Sequence, residues 1–578
     1  MTASRPLPKP ARVARPSRRR RRNLRRLTPI VLLAAGAFAG GLIAGGRHEP
    51  SERRLANRFA AAWERGDYAA MHAMLTPAAR EDLSPRRLGR AYRRASETAT
   101  LEKLEIGRPR EADGDAIAIP VVATTRVFGR VSGDVLLPLG EGDDGEPAVA
   151  WTPELVFPGL RPGEALTRHT RMPPRATIEA RNGTPLAEGE ARLSDLGPLA
   201  AEIAGRVGPA PPERQEELAA RGVPDGAPVG LTGLEREFDE RLAGVPGGEL
   251  LAGRRVLASR PPQPGKSVRT TIDPDIQRAA VEALAGRFGG VAAVRPRDGE
   301  VLALAGVAFS APQPPGSVFK IITLSGAVQA GIVKRNERFP VQTAATLEGV
   351  ELQNANGEAC GGTLVESFAH SCNSVFAPLG AELGAERLVS TAERFGFNKD
   401  PGLVGAARST IPAADEIGDD LAVGSSAIGQ GKVLTTPLQM ALVAAAIGED
   451  GRLVRPTLRK GAGTEGTQAV PPDVAKFVAR SMRAVVTGGT GIGAQIPGVR
   501  VAGKTGTAEL RSTVNQDPVP DPDAPPPEAD PTDTDAWFAA FAPSHAPKIA
   551  VCVLFVAQGA GGETAAPAAK QVLEAALD

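Results

Sequence analysis

The longest uncharged stretch of the chain lies close to its N-terminus. Residues 28–46 contain no charged side chain, and their apolar core reads IVLLAAGAFAGGLIAG. This length is near the minimum of about 20 residues that a helix needs to cross a bilayer. We therefore expect one transmembrane anchor at residues 28–46, so that everything after it must fold as domains on one side of the membrane.

The residues before this stretch are strongly basic. Residues 1–27 carry eleven Arg and Lys residues and no acidic residue. The positive-inside rule places this tail in the cytoplasm and the chain after residue 46 on the extracellular side of the cell membrane. Two other interpretations stay open. The sequences AGA and AFA resemble signal-peptide cleavage sites, and an arginine run can bind nucleic acid, although a net charge of +2 for the whole chain disfavours that function.

A chain of 578 residues is too long for a single hydrophobic core, and its texture changes along its length. Residues 50–155 begin with helical periodicity and continue with short β-type runs, which predicts a small α+β domain. Residues 156–266 are rich in Pro, Gly and Glu and predict a connecting domain. Residues 267–578 alternate apolar strands and helices and form the candidate catalytic domain. An acidic, proline-rich stretch at 511–535 interrupts this domain and predicts a mobile surface loop.

The three cysteines follow the predicted anchor, in a compartment where disulfides persist. Cys360 and Cys372 lie twelve residues apart in a loop-rich stretch, so we expect them to form a disulfide. Cys552 lies in the apolar run KIAVCVLFV, which predicts a buried strand. A lone cysteine in such a strand behaves as a small hydrophobic residue, and we expect it to be free.

The segment PPGSVFK places Lys320 three residues after Ser317 and among apolar neighbours. A serine at a helix N-terminus is ordinarily a cap, and that interpretation stays open for Ser317 alone. On a helix, however, residues i and i+3 share a face. Burial lowers the pKa of a lysine, and a neutral amine can accept the serine proton. The segment therefore predicts a nucleophile that carries its own base.

Two further clusters are suited to an acyl-transfer site. In HSCNSVF, Ser371 and Asn373 alternate around Cys372, so that both can face one cleft while Cys372 points away. The strand-like run VRVAGKTGTAEL carries Lys504, which suits an anionic carboxylate, and Gly506, which lets a substrate backbone lie against the strand edge. Each pattern alone also fits a commonplace turn.

The three motifs are specific when they occur together. The order Ser-x-x-Lys, Ser-x-Asn, Lys-Thr-Gly-Thr within one domain is the signature of the penicillin-recognising acyl-serine enzymes. The segments RTTIDPDIQRAA, SSAIGQGKVLTTPLQMALVAAAI and DAWFAAFAP also look like that family. The chain resembles a class B penicillin-binding protein, a membrane-anchored D,D-transpeptidase that cross-links peptidoglycan.

This resemblance implies a multidomain α+β fold. Residues 267–578 would form the penicillin-binding transpeptidase domain, with an antiparallel sheet covered by helices. Residues 156–266 are similar to the family's pedestal or dimerisation domain. Residues 50–155 are similar to the nuclear-transport-factor-like domain of low-affinity penicillin-binding proteins. No metal or cofactor is implied.

The resemblance also implies roles for the residues of the three motifs. Ser317 would attack the penultimate D-Ala carbonyl of a stem peptide, and Lys320 would be the base. Ser371 and Asn373 would relay protons to the leaving amine and bind the substrate amide. β-Lactams imitate the D-Ala-D-Ala end of the peptide and would leave Ser317 acylated.

The third motif would bind the substrate. Lys504, Thr505 and Thr507 would hold its terminal carboxylate, beside Gly506. The backbone N–H groups of Ser317 and Thr507 would bind the oxyanion. The implied partners are peptidoglycan stem peptides, lipid-linked precursor strands and a membrane glycosyltransferase of the shape, elongation, division and sporulation type.

The chain departs from the family pattern in four places. Ala176 and Ala180 replace a Gly and an Asp of the pedestal motif, and the stretch before Ser317 is short. Cys372 occupies the middle of Ser-x-Asn, and the acidic loop follows the Lys-Thr-Gly strand directly. The last two border the predicted cleft and bear on substrate and β-lactam preference.

Three rival functions are less well supported by the sequence. A class D β-lactamase shares the chemistry, but the anchor, the two extra domains and Asn373 disfavour it. A non-catalytic β-lactam sensor would carry several membrane spans, whereas this chain shows one candidate span. A bifunctional polymerase would need a glycosyltransferase segment before residue 267, and none is evident.

Overall fold

The computed structural model describes residues 50–112, 116–462, 465–509 and 534–578. The predicted basic tail, the anchor at 28–46 and most of the acidic loop lie outside these residues. Within the described part of the chain, no helix is both long and apolar enough to cross a membrane.

The chain divides into two compact units. One contains the described residues up to Arg168 together with Leu250–Ala258, and the other contains His169–Glu249 and Ser259–Asp578.

The first unit places four helices before a five-stranded antiparallel sheet. Its elements are α1 Ser51–Glu64, α2 Tyr68–Ala73, α3 Pro77–Asp82, α4 Pro85–Ala99, β1 Leu101–Ile106, β2 Arg110–Glu111, β3 Ala116–Thr125, β4 Gly129–Glu141 and β5 Pro147–Val149. Helix α4 begins where Ser84 accepts a hydrogen bond from the Arg87 amide and Pro85 occupies the first helical turn. Trp63 and Tyr92 meet edge to face in the core. The predicted small α+β domain is confirmed.

The second segment consists of short elements: β6 Leu166–Arg171, β7 Ile178–Glu179, β8 Pro185–Ala187, α5 Pro198–Ala204, β9 Val207–Gly208, α6 Pro212–Ala220, β10 Val229–Gly230, α7 Gly233–Glu237, α8 Asp239–Ala243, β11 Gly247–Ala252 and β12 Arg255–Arg260. Buried ion pairs link several of them. Glu235 accepts from Arg175 and Arg192, each at 2.6 Å, and Asp239 pairs with Arg175 and Arg214, each at 2.8 Å. We call these five residues the arginine cluster. Each carboxylate bridges two guanidinium groups, as buried charges require.

The remaining chain forms the candidate catalytic domain. Its first half contains β13 Val268–Arg269, α9 Pro274–Leu284, β14 Gly289–Val294, β15 Val301–Gly306, a 3₁₀ turn Gly316–Phe319, α10 Lys320–Ala330, β16 Arg338–Gln342, β17 Ala344–Leu347, β18 Val350–Gln353, β19 Cys360–Thr363, α11 Leu364–Ala369, α12 Asn373–Leu383 and α13 Ala385–Arg394. Its second half contains α14 Ala414–Ile417, α15 Asp420–Ala427, α16 Pro437–Gly448, β20 Arg452–Val454, β21 Gly466–Gln468, α17 Pro472–Gly488, β22 Ala502–Glu509, β23 Thr534–Ala542, β24 Ile549–Phe555 and α18 Ala565–Leu577.

A five-stranded antiparallel sheet in the order β15-β14-β24-β23-β22 is the centre of this domain. Its strands are buried on both faces. Val291 and Ala293 pack with α9 and α18 on one face, whereas Ala292 and Val294 pack with α10 and α16 on the other. The predicted antiparallel sheet covered by helices is confirmed, and β22 lies at one edge of it.

A small β-structure stands between the nucleophile helix α10 and α11. Strands β16 and β19 pair with each other, and the β17–β18 hairpin lies between them in sequence. A disulfide joins Cys360, in β19, to Cys372, which precedes α12. Cys552 is free and buried in β24. Both cysteine predictions are confirmed.

Candidate active site

Ser317 lies in the 3₁₀ turn that leads into α10. This turn can form because Gly316 adopts a left-handed φ of +51°, and a Cβ there would lie 2.6 Å from the carbonyl oxygen of Thr507. The Gly316 amide donates to the carbonyl of Gly429 at 2.9 Å. Ser317 itself is half-buried, whereas Phe319 and Lys320 after it are fully buried. The close approach to β22 therefore leaves the serine as the reachable residue of the turn.

Lys320 projects toward the Ser371–Asn373 motif. Its Nζ donates to the carbonyl oxygen of Ser371 and to Oδ1 of Asn373, each at 2.6 Å, and lies 3.4 Å from the hydroxyl of Ser371. Burial, with a further contribution from the nearby charge of Lys504, holds the pKa of Lys320 well below its usual value. The predicted lowering of this pKa is confirmed.

The hydrogen bonds of Lys320 are those expected of a neutral amine. A neutral amine has two hydrogens and one lone pair, and the two short bonds of Lys320 use both hydrogens on carbonyl acceptors. The lone pair then remains for a proton from a serine hydroxyl. Within the described residues no hydrogen bond joins Lys320 to Ser317. Hydrogen bonds between catalytic residues commonly form or shorten only when substrate binds.

Ser371 bridges the two lysines of the site. Its backbone is left-handed, with φ of +61°, and its hydroxyl accepts from Lys504 Nζ at 2.8 Å. Cys372 is fully buried in the disulfide, while Ser371 and Asn373 are half-exposed. The predicted alternation, with two polar residues facing the cleft and the middle residue pointing away, is confirmed.

Lys504 lies in the middle of β22 and is fully buried. Besides Ser371, its Nζ donates to the carbonyl of Thr505 at 3.0 Å. Burial lowers the pKa of Lys504 to about 7. The group can therefore gain or lose its charge near neutral pH, so its protonation state depends on what occupies the cleft.

An aromatic ring lies near each of the two lysine amines. Lys320 Nζ lies 5.6 Å from the ring centroid of Phe376, and Lys504 Nζ lies 5.6 Å from that of Phe368. Among the described residues, no carboxylate forms an ion pair with either lysine. Two buried cations without an anion are unfavourable, which is why both pKa values fall.

Strand β22 lies beside the nucleophile turn. A Cβ on Gly506 would lie 2.8 Å from the Pro315 carbonyl oxygen and 3.1 Å from Val318. A glycine is therefore required at 506 so that β22 can contact the nucleophile turn. The sequence had suggested another reason, that Gly506 lets a substrate backbone lie against the strand. The Thr507 carbonyl faces Gly316. Because both polar backbone groups of a strand residue point the same way, the Thr507 N–H also faces the turn.

Three family models match the chain. The Penicillin binding protein transpeptidase domain matches residues 289–574, the NTF2-like N-terminal transpeptidase domain matches 51–164, and the Penicillin-binding Protein dimerisation domain matches 183–270. The order of the three agrees with the resemblance drawn from the sequence, including its nuclear-transport-factor-like part.

Curated relatives extend this match beyond single domains. The chain is 34% identical to peptidoglycan D,D-transpeptidase PbpA of Mycolicibacterium smegmatis over 418 residues, which is 60% of this chain and 79% of that protein. The chain belongs to the family of penicillin-binding D,D-transpeptidases. The transpeptidase is also 35% identical to PbpA of Mycobacterium tuberculosis over 414 residues, with the same coverage.

Solved structures give the same assignment for the fold. The crystal structure of PBPA from Mycobacterium tuberculosis is 29% identical with a TM-score of 0.55, and the match covers 70% of the transpeptidase and 99% of that chain. A ceftriaxone acyl-enzyme complex of penicillin-binding protein A from the same organism is 28% identical, with a TM-score of 0.55 and coverage of 70% and 98%. Pseudomonas aeruginosa PBP2 in complex with WCK 5153 matches with 26% identity, a TM-score of 0.59 and coverage of 70% and 96%.

The fold gathers the predicted site residues of the transpeptidase around one cleft, and it adds others that the sequence did not single out. Thr490 shares a hydrogen bond with Thr505 between their hydroxyls at 2.5 Å. Phe368 and Phe376 line the lysines, and Asn354 binds the start of α12. The two rings could have been found from the sequence, because in ESFAHSCNSVF both phenylalanines lie within five residues of Ser371.

Proposed function

We propose that this transpeptidase cross-links peptidoglycan stem peptides through an acyl-enzyme on Ser317. The observation that carries the proposal is the pair of fully buried lysines, Lys320 and Lys504, that meet at Ser371 and that have no carboxylate partner among the described residues. Such a pair suits one lysine as a neutral base and the other as an anion receptor.

Acylation begins at Ser317. Its Oγ attacks the carbonyl carbon of the penultimate D-Ala, and the hydroxyl proton passes to the free lone pair of Lys320. The developing oxyanion lies between the N–H groups of Ser317 and Thr507. As the peptide bond breaks, a proton returns through the Ser371 hydroxyl to the departing D-Ala nitrogen, so the amine leaves neutral and Lys320 is ready for the second step.

Transfer reverses these events with a new amine. An amine of a neighbouring stem peptide attacks the ester carbonyl of acylated Ser317 and loses a proton to Lys320. The bond between the carbonyl carbon and Ser317 Oγ then breaks, Lys320 returns the proton to Oγ, and the cross-link is complete. Lys504, Thr505 and Thr507 hold the carboxylate of the donor peptide before acylation. Lys504 acts as the charged receptor because a bound carboxylate favours its protonated form.

Labelling with a fluorescent penicillin tests this assignment. Wild-type protein should form a covalent adduct, and Ser317→Ala should reduce its formation by about a thousandfold or more. The matched control is Ser325→Ala in α10, where the hydroxyl donates to the Ile321 carbonyl, and it should label normally. Labelling that survives Ser317→Ala would overturn the acyl-serine assignment, and rapid release of the label with fast nitrocefin turnover would favour a β-lactamase.

We further infer that residues 28–46 anchor the enzyme in the cell membrane, with residues 1–27 in the cytoplasm and the catalytic domain outside. The uncharged run and the basic tail before it support this topology. The full chain should sediment with membranes after a high-salt wash, and a variant that begins at residue 50 should not. Release of the full chain by salt, or a mature N-terminus after residue 46, would contradict the anchor.

An anchored cross-linking enzyme needs newly polymerised strands beside it. We therefore propose that its partner is a membrane glycosyltransferase of the shape, elongation, division and sporulation type. A relative named stage V sporulation protein D, of Bacillus subtilis, supports a role in one such process. Co-purification of the full chain with such a polymerase in detergent, lost when residues 1–49 are removed, is the expected result.

A further inference from the structure

Asn354 is a buried amide whose hydrogen bonds are complete. It follows β18 and is 4% exposed. Its Nδ2 donates to the carbonyls of Gln342 and Glu358, each at 2.8 Å, and its Oδ1 accepts from the backbone N–H of Ser374 at 2.8 Å. The first two bonds close the β-structure around it. The third leaves that structure and reaches the first turn of α12.

The neighbouring residue reaches the same place. The carbonyl of Gln353 accepts from Nδ2 of Asn373 at 2.7 Å. Two successive residues of one segment therefore hold two successive residues of the other, one by its side chain and one by its backbone. The disulfide from Cys360 to Cys372 attaches the same β-structure one residue earlier.

This arrangement fixes the orientation of the Asn373 amide. Its Oδ1 accepts from Lys320 at 2.6 Å, and one hydrogen of its Nδ2 is used by Gln353. The second hydrogen of Nδ2 remains for a ligand in the cleft. If the carbonyl of Gln353 moved, the amide could turn and its free hydrogen would change direction, whereas the Ser371 carbonyl would still hold Lys320.

We propose that Asn354 is a positioning residue for acylation, which acts through Gln353 and the first turn of α12 to aim the Asn373 amide at the substrate amide. The inference rests on the proposed function, because it assigns the free Nδ2 hydrogen of Asn373 to the bound peptide. It predicts an effect that depends on the ligand. Ligands with an amide beside the scissile bond need the aimed hydrogen, whereas ligands without one do not.

Two β-lactams separate these cases. Penicillin G carries an acylamino side chain, and imipenem carries a hydroxyethyl group in its place. The second-order acylation rate constant should fall in Asn354→Ala by about tenfold for penicillin G, the size of one lost hydrogen bond, and by less than about threefold for imipenem. A fall of equal size for both ligands, or no fall for either, would overturn the proposal.

Two variants separate positioning from stability. Asn398→Ala is the matched control, because Asn398 is a half-buried loop amide that bonds both backbone groups of Ile411, and it lies outside the cleft. It should lower Tm without changing the ratio of the two acylation rates. Asn354→Asp keeps the acceptor for Ser374 and should recover most of that ratio, even where its Tm falls as far as that of Asn354→Ala.

Failure of the proposed function would look different from failure of this inference. If the wild-type protein is not acylated at Ser317, the proposed function fails. If the wild-type protein is acylated and Asn354→Ala shows the wild-type ratio of rates, only the positioning role fails. A ratio that Asn354→Asp does not recover, although Asn354→Ala has changed it, also contradicts the role of the Ser374 contact.

Discussion

The arginine cluster and the lysine pair are both groups of buried cations, yet they are built in opposite ways. In the arginine cluster each carboxylate binds two guanidinium groups at 2.6 to 2.8 Å. Within the part of the chain that the structure describes, Lys320 and Lys504 contact neutral oxygens and aromatic rings and no carboxylate. An ion-pair partner keeps a buried group charged, so the arginine cluster serves stability. A buried lysine without such a partner can lose its proton, so it can take part in catalysis.

The sharpest test of this difference removes one buried amine. Lys320→Met should lower the acylation rate by about a thousandfold or more, because the base is lost. It should leave Tm unchanged or raise it, because an apolar side chain of similar length replaces a desolvated amine without leaving an unpaired carboxylate. Fluorescent-penicillin kinetics and thermal unfolding measure the two effects. Lys570→Met, at the protein surface, is the control, and a large drop in Tm for Lys320→Met would contradict the comparison.

The arginine cluster should respond in the opposite way. Glu235→Gln leaves Arg175 and Arg192 without their shared carboxylate, and breaking a buried pair costs about 3–5 kcal/mol of the free energy of unfolding. The acylation rate of the folded fraction should stay at its wild-type value. Denaturant unfolding measures the first quantity. The exposed Glu240, in the adjacent short helix, provides the control Glu240→Gln, which should leave Tm unchanged.

Near the lysine pair, a disulfide joins neighbouring segments of the chain. In the arginine cluster, ion pairs do this. Closing a loop of this size contributes about 3 kcal/mol in the chain-entropy model. Reduction of Cys360–Cys372 should therefore lower Tm and slow acylation by about threefold to tenfold, because Ser371 and Asn373 flank Cys372. A Cys552→Ala variant should keep this response to reductant. An acylation rate that reduction leaves unchanged would show that the hydrogen bonds of Asn354 and Gln353 suffice.

The last expected effect is a dependence of ligand affinity on pH above neutrality. Lys504 has a pKa of about 7, so it loses its charge as pH rises from 7 to 9. The non-covalent affinity for the penicillin carboxylate should then weaken, by at most about tenfold per pH unit. The limiting acylation rate should not fall as pH rises, because Lys320 acts as a base in its neutral form. Stopped-flow acylation separates the two constants, and Lys504→Arg, which stays charged, should flatten the profile of affinity.

Local spacing made part of this site predictable. Ser317 and Lys320 lie one helical turn apart, so their proximity follows from helix geometry alone. Ser371, Asn373 and Lys504 could be placed with them only because the three motifs occur together. No periodicity brings Lys504 within 2.8 Å of Ser371, since 133 residues separate them and only the tertiary fold brings β22 to the start of α12.

The contacts that hold the motifs in place could not be predicted. Asn354 lies in the polar stretch NANGE, whose composition suggests only a turn. Its role depends on the docking of β18 against α12, a contact between residues 20 apart with no shared period. The packing reason for Gly506 was hidden in the same way, because the sequence could not show that the nucleophile turn packs against β22.

That packing has a consequence for association between molecules. An edge strand offers unpaired backbone groups on which a strand of another chain can extend the sheet. The nucleophile turn packs closely against Gly506 and Thr507 and covers this stretch of β22. The segment that carries the reactive serine thus also protects the protein against aggregation through this edge. An inactive form is for this reason better made by Ser317→Ala than by deleting the turn, which would uncover the edge.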